Sequence, residues 1–224
     1  VSLLSLPRRV EAVVFDMDGL LVDSERVFRD SMFAVSRAQG RELRLEVFLA
    51  MVGSPREASV RVATRHFGPG FDVEAWFEAV SAHAHAQMDA DIVLKDGVVE
   101  LLDTLEEMGL PRAVATSSSH SSVTRQLGSL EHRFQAVVAH GDYALGKPHP
   151  DPFLTAARRL GVAPGDCLAL EDSHNGVRAA HAAGMMTIMV PDLLTATDEM
   201  RSLCVAIAET LHEVRDLLLA QHRA

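Results

Sequence analysis

The stretch Phe15-Asp16-Met17-Asp18-Gly19 ends a short apolar run with two carboxylates two residues apart. On a strand, side chains at i and i+2 point the same way, so Asp16 and Asp18 are able to lean over one pocket where the chain breaks at Gly19. Two acids at the end of an apolar segment are costly unless something neutralises or uses them. Three other segments carry matching chemistry. Thr116-Ser117-Ser118-Ser119-His120 is a row of hydroxyls, Gly146-Lys147-Pro148 sets a lysine before a proline-stiffened helix start, and Leu170-Glu171-Asp172-Ser173 brings a second acidic pair. Four carboxylates stay ionised in one cleft only with a cation among them. An all-oxygen donor set in a small site points to Mg²⁺.

These segments need elements that bring them together. Short apolar runs lie at Ala12 to Phe15, Ala113 to Thr116, Ala136 to Ala139, Cys167 to Leu170 and Met186 to Val190. Continuous apolarity, without alternation, marks strands covered on both faces. Helical patterns separate them: Val98 to Met108 before Gly109, Asp151 to Leu160 before Gly161, and Gly176 to Ala183 before Gly184. The alternation predicts an α/β fold with a Rossmann-like parallel-sheet core. Strand ends in such a sheet converge on one edge, where ligands bind. One connection is too long. A βα link needs about 2–6 residues, yet residues 24–91 are surplus and read as helix nearly throughout, punctuated by Gly53, Pro55 and Gly68-Pro69-Gly70. We read them as an inserted helical-bundle cap domain, which divides the core into residues 1–23 and 92–224. The cap leaves from a strand's carboxyl end, so it is expected to cover the site, with hinges near residues 22–24 and 91–96.

The motif residues resemble the haloacid dehalogenase superfamily of phosphohydrolases, in the helical-cap branch that holds phosphosugar phosphatases and β-phosphoglucomutases. The match runs from about Ala12 to Pro191. It rests on Asp16-Met17-Asp18-Gly19-Leu20-Leu21-Val22-Asp23-Ser24-Glu25, Ser117, Gly146-Lys147-Pro148 and Glu171-Asp172-Ser173 with Gly176. The resemblance implies a nucleophile at Asp16, which would form an aspartyl phosphate, and a general acid and base at Asp18. It implies phosphoryl binding by Ser117 and Lys147. Mg²⁺ would be held by Asp16, the Asp18 carbonyl and Asp172, with Glu171 coordinating directly or through water. Gly19, Ser24, Glu25, Arg56, Ser118 and Ser119 are expected to line the substrate site. The implied activity is Mg²⁺-dependent hydrolysis of a small phosphomonoester of the phosphosugar type. Ala115-Thr116-Ser117-Ser118, His174-Asn175-Gly176-Val177 and Val190-Pro191-Asp192 also resemble pseudouridine-5′-phosphatases, which adds nucleoside and C-glycoside phosphates as substrate classes.

Other readings fare worse. Dehalogenation needs neither a metal nor an acid at Asp18. Phosphonate hydrolysis in the superfamily uses a cap lysine, and residues 24–91 contain none. The mutases carry a histidine where this chain has Phe28, although Gly53-Ser54-Pro55-Arg56 resembles their substrate loop. A phospho-accepting receiver groups similar residues but has no cap, and a silent binding protein would not need the whole set. His83 and His85 fall about 200° apart on a helix, so they cannot share a metal and are expected to be exposed. His120 and His174 stand in strand-end loops, where they either line the pocket or serve the loops.

Lys and Arg total 21 against 31 Asp and Glu, a net charge of −10, which repels nucleic-acid phosphates and anionic lipids. No apolar run approaches the ~18 residues of a membrane span. The two cysteines make no disulfide framework. The expectation is a cytoplasmic, monomeric enzyme acting on a small phosphomonoester, with no nucleic-acid or membrane partner.

Overall fold

The computed structural model describes residues 6–52, 54, 56–90 and 94–223, with the backbone alone for Glu25, Asp89 and Ala90. Two compact units result: the described residues up to Val22 with those from Leu94 onward, and those from Asp23 to Ala90. The first holds strands β1 (Ala12–Phe15), β2 (Arg112–Ala115), β3 (Ala136–Val138), β4 (Cys167–Glu171), β5 (Met186–Met189) and β6 (Ala206–Ile207). They form one sheet in the order β3-β2-β1-β4-β5-β6, every neighbour parallel.

The strands alternate faces by residue size. Val13, Phe15, Val114, Leu168, Leu170 and Ile188 pack in one cluster with Leu101, Leu102 and Leu105 of helix α5 (Val98–Glu107) and with Leu211, Val214 and Leu218 of helix α10 (Leu211–His222). On the other face the strands present Ala12, Val14, Ala113, Ala115 and Ala169. These pack with Phe153, Ala156 and Ala157 of helix α7 (Asp151–Leu160) and Ala179 and Ala180 of helix α8 (His174–Ala182). Small side chains there let the helices lie close to the sheet, which suits a close-packed interior.

Register places the chemistry. Phe15 is opposite Leu170 in β4 and Val114 in β2, so the next residues, Asp16, Glu171 and Ala115, leave at the same level. The Asp16 N–H continues the ladder by donating to the Leu170 carbonyl at 2.9 Å. Just past Asp16 the chain folds into a tight flap. The Gly19 N–H donates to the Val22 carbonyl at 2.9 Å, and Val22 bridges Leu94 in the returning chain. The Lys95 N–H donates to the Leu21 carbonyl at 3.0 Å, and its ammonium meets Asp192 at 2.7 Å.

The second unit consists of α1 (Ser24–Ala38), α2 (Leu45–Leu49), α3 (Arg56–Phe67) and α4 (Val73–Ala90). Trp76 is its anchor, fully buried, with ring centroids of Phe67 and Phe77 at 5.2 and 4.7 Å and an indole N–H donating to Ser36 at 3.1 Å. His83 and His85 correct the expectation of exposure. Both are half-buried where α4 packs on α1: His83 Nδ1 bonds the Ser31 hydroxyl at 2.9 Å, and His85 meets Phe28 edge-on at 6.3 Å. Among the described residues no helix is long and apolar enough to cross a membrane.

Element ends shift by a residue or so from the sequence reading, two starts shift for visible reasons, and one strand is new. β2 begins one residue early, at Arg112, because the Arg112 guanidinium is buried against Glu106 and the Arg112 backbone N–H donates to the Gln135 side-chain oxygen at 2.8 Å. α8 begins at His174, because Ser173 caps it by accepting the Gly176 N–H at 3.1 Å. β6 is a two-residue edge strand, too short to leave a periodic signal.

Candidate active site

Asp16, Glu171 and Asp172 are buried at the ends of β1 and β4, and each offers a carboxylate oxygen within 4.8 Å of the others. Between them reaches Lys147, from the loop joining β3 to α7. Its ammonium donates to Asp16 and, at 2.6 Å, to Glu171, and its side chain is only 7% exposed. The Phe153 ring lies 4.9 Å from the ammonium, an apolar wall that also favours a cation over its face.

The charges do not balance. Burial, opposed by Lys147 and reinforced by Glu171 and Asp18, pushes the Asp16 carboxyl up to about 8. Burial works against the Lys147 charge as well, but Asp16 and Glu171 outweigh it and hold the ammonium above its ordinary pKa. One lysine therefore leaves the acidic group under-compensated. Hard carboxylate oxygens clustered with surplus negative charge are the donor set a small divalent cation requires.

Asp18 is held from the β2 end. The Ser118 hydroxyl donates to it at 2.7 Å and the Thr116 hydroxyl approaches at 3.4 Å. Thr116 Oγ1 in turn accepts the Ser118 N–H at 3.0 Å, which ties the hydroxyl row into a turn aimed at Asp18. Ser117 is exposed at this edge, beside Tyr143. Ser119 has a structural task as the N-cap of α6 (His120–Leu127), where it accepts the Ser122 N–H at 3.3 Å.

Glycines make room for the acids. Gly19 has φ +82°, and a Cβ there would overlap the Asp172 carboxylate. A Cβ on Gly176 would collide with the Glu171 carboxylate, which folds back over the first turn of α8. Glu171 is held in that place by the Ser173 N–H at 2.8 Å and the Ser173 hydroxyl at 2.9 Å. Sequence reading assigned Gly176 to helix-start geometry. Its further role, leaving space for an acidic side chain five residues earlier, has no signature in composition or periodicity. Gly→Ala inside a helix ordinarily adds roughly 1 kcal/mol of stability. Gly176→Ala is expected to do the reverse, losing about 1–3 kcal/mol through the forced displacement of Glu171. Urea unfolding of the two proteins checks the sign.

The remaining expected site residues lie in the helical unit. Ser24 is buried at the first turn of α1. Arg56 pairs with Glu74 at 2.7 Å and lies over the Phe77 ring at 4.0 Å. The Glu25 side chain, Gly53 and Pro55 lie outside the described residues. Of the loop histidines, His120 meets Asp142 at 3.0 Å and His174 bonds the Thr195 carbonyl at 2.9 Å.

Comparison with known proteins agrees with this geometry. A family model described as haloacid dehalogenase-like hydrolase matches residues 13–190. A probable pseudouridine-5′-phosphatase of Drosophila melanogaster is 35% identical over 193 residues, 83% of this chain and 83% of that one. Hexitol phosphatase B of Escherichia coli is 32% identical over 197 residues, 84% of this chain and 86% of the relative. The crystal structure of CbbY from Rhodobacter sphaeroides in complex with phosphate superposes with a TM-score of 0.75 at 26% identity, covering 92% of this chain and 96% of that one.

Proposed function

Because this chain belongs to the haloacid dehalogenase-like hydrolases, we propose that it is a Mg²⁺-dependent phosphatase of small phosphomonoesters working through an aspartyl phosphate. The observation that carries this reading is the convergence of Asp16, Lys147, Glu171 and Asp172 in one buried cluster. Asp16 and Asp172 would hold the ion directly, with the Asp18 carbonyl. Glu171 would act mainly through water, since one of its oxygens is bonded to Lys147 and the other to Ser173. When bound, Mg²⁺ supplies charge neutralisation that lets two anions approach.

The chain's own groups carry the steps. A carboxylate oxygen of Asp16 attacks phosphorus and the ester P–O bond breaks. Asp18 gives its proton to the leaving oxygen, so the alcohol departs neutral. Asp18, now a carboxylate, takes a proton from water, whose oxygen attacks the same phosphorus. The P–O bond to Asp16 then breaks, and the aspartate is restored with phosphate released. Hydroxyls of Ser118 and Thr116 fix the Asp18 carboxyl for both transfers. Lys147 and Ser117 would bind phosphoryl oxygens, where fixed donors are most effective on a spreading negative charge.

A phosphorylated sugar or sugar alcohol is the favoured substrate class. The 35% identity to a probable pseudouridine-5′-phosphatase supports a second class, nucleoside and C-glycoside phosphates. Phe28 stands where the mutases carry a histidine and meets His85 edge-on, which favours water as the final phosphoryl acceptor. Phosphate release is to be measured from a panel of hexitol, hexose and nucleoside phosphates with Mg²⁺ and with EDTA. Release from at least one ester, abolished by EDTA, is expected. Isomerised sugar phosphate without phosphate release would favour a mutase, and silence across the panel would sink the reading.

A further inference from the structure

Tyr143 lies outside every motif that pointed to the site. It comes from the same loop as Lys147, four residues earlier, and its ring packs with the alanine-rich core face. Its hydroxyl donates to the Thr116 carbonyl at 3.0 Å, one peptide away from the exposed Ser117. Thr116 is thereby held at three points. Its N–H donates to Val138 at 2.9 Å, its hydroxyl accepts from Ser118, and its carbonyl accepts from Tyr143.

We infer that Tyr143 is a positioning residue for the phosphoryl pocket, setting Ser117 by holding the peptide that precedes it. The inference rests on the reading of Ser117 as a phosphoryl ligand. A peptide unit is planar and trans, so clamping the Thr116 carbonyl also fixes the direction of the Ser117 N–H, which points the opposite way. Asp142, the residue before Tyr143, accepts the Ala139 N–H at 3.0 Å and meets Arg159 at 3.0 Å, which steadies the loop from the other side. Tyr143 so links the loop of Lys147 to the strand end of Ser117, and two phosphoryl donors on separate elements keep one spacing.

The test is a double-mutant cycle on steady-state hydrolysis and on inhibition by inorganic phosphate. Tyr143→Phe keeps the ring and removes that bond. It is expected to raise KM and the phosphate inhibition constant by about three- to tenfold, with a smaller change in kcat. In a Ser117→Ala background the same substitution is expected to change both constants less, because the hydroxyl it would displace is gone and only the N–H remains. Full additivity would overturn the inference, because Tyr143 would then be acting elsewhere. So would an unaltered KM in Tyr143→Phe. Thermal melting of each variant separates a general loss of fold from this effect: a KM shift that appears only with a lowered melting temperature, and persists undiminished in Ser117→Ala, counts against it. If Ser117→Ala alone leaves KM and inhibition unchanged, the phosphoryl assignment of Ser117 fails and takes this inference with it.

Discussion

Asp16→Asn is expected to abolish turnover and at the same time stabilise the metal-free protein. An amide is not a nucleophile toward phosphorus, and a lone nucleophile typically accounts for a loss on the order of 10⁴-fold or more in kcat. The stability effect has the opposite sign because Asp16 is placed for chemistry. Its carboxyl is pushed up to about 8, first by burial and then, against Lys147, by the charges of Glu171 and Asp18. In the unfolded chain it titrates near its ordinary value of 3.8. Between these two values the folded protein binds more protons than the unfolded one, so stability falls as pH rises from about 4 to about 8. Lys147 adds no slope there, since its stabilising contribution is fully present below its ordinary pKa. The amide carries no charge, so the variant's stability should be flatter across this window and its advantage greatest near pH 8. Urea titrations at pH 5 and pH 8 in EDTA measure this. Adding Mg²⁺ should narrow the gap by stabilising the unaltered protein more. A variant with substantial turnover would remove Asp16 from the nucleophile's role. A pH-independent stability difference would remove the electrostatic explanation.

Much of this arrangement could be read beforehand because the parallel sheet converts order along the chain into place. Ala12 to Phe15 and Cys167 to Leu170 are apolar throughout because both faces are covered, and pairing Phe15 with Leu170 brings Asp16 to Glu171 without any loop having to be known. Contacts between side chains from separate loops were another matter. Nothing in the sequence ties Tyr143 to Thr116 across 27 positions, or Arg56 to Glu74 and Phe77, because neither strand nor helix period links them. The N-cap role of Ser119 was hidden for a related reason. A run of four hydroxyl residues looks uniform, yet the start of α6 gives Ser119 to the cap and leaves Ser117 and Ser118 at the edge. His83 and His85 were misjudged because helical spacing tells which residues share a face but not how deeply a neighbouring helix covers the flanks.

Lys147→Met should damage both the fold and the reaction, and the pattern across pH distinguishes the two. Lys147 is buried against Asp16 and Glu171, the second of which is wholly shielded from solvent. Removing one member of a buried ion pair typically costs about 3–5 kcal/mol, because the partner charge is left uncompensated. Here two carboxylates lose the same cation. The loss should be larger at pH 8, where Asp16 is driven to ionise, than at pH 5, where Asp16 escapes by keeping its proton. Methionine retains the packing against Phe153, so cavity formation contributes little. For the reaction, loss of a fixed cation from the phosphoryl site predicts a fall in kcat/KM of about 10²–10³-fold. Arginine should not rescue it, since a planar fork replaces a compact ammonium that reaches two carboxylates from a confined position. The decisive measurement combines Lys147→Met with Asp16→Asn. With the Asp16 carboxylate gone, Lys147→Met should cost less stability than it does alone, a coupling expected of charges in direct contact. Equal costs in both backgrounds would mean that Lys147 stabilises the core by packing alone, and the electrostatic cluster would lose its central pair.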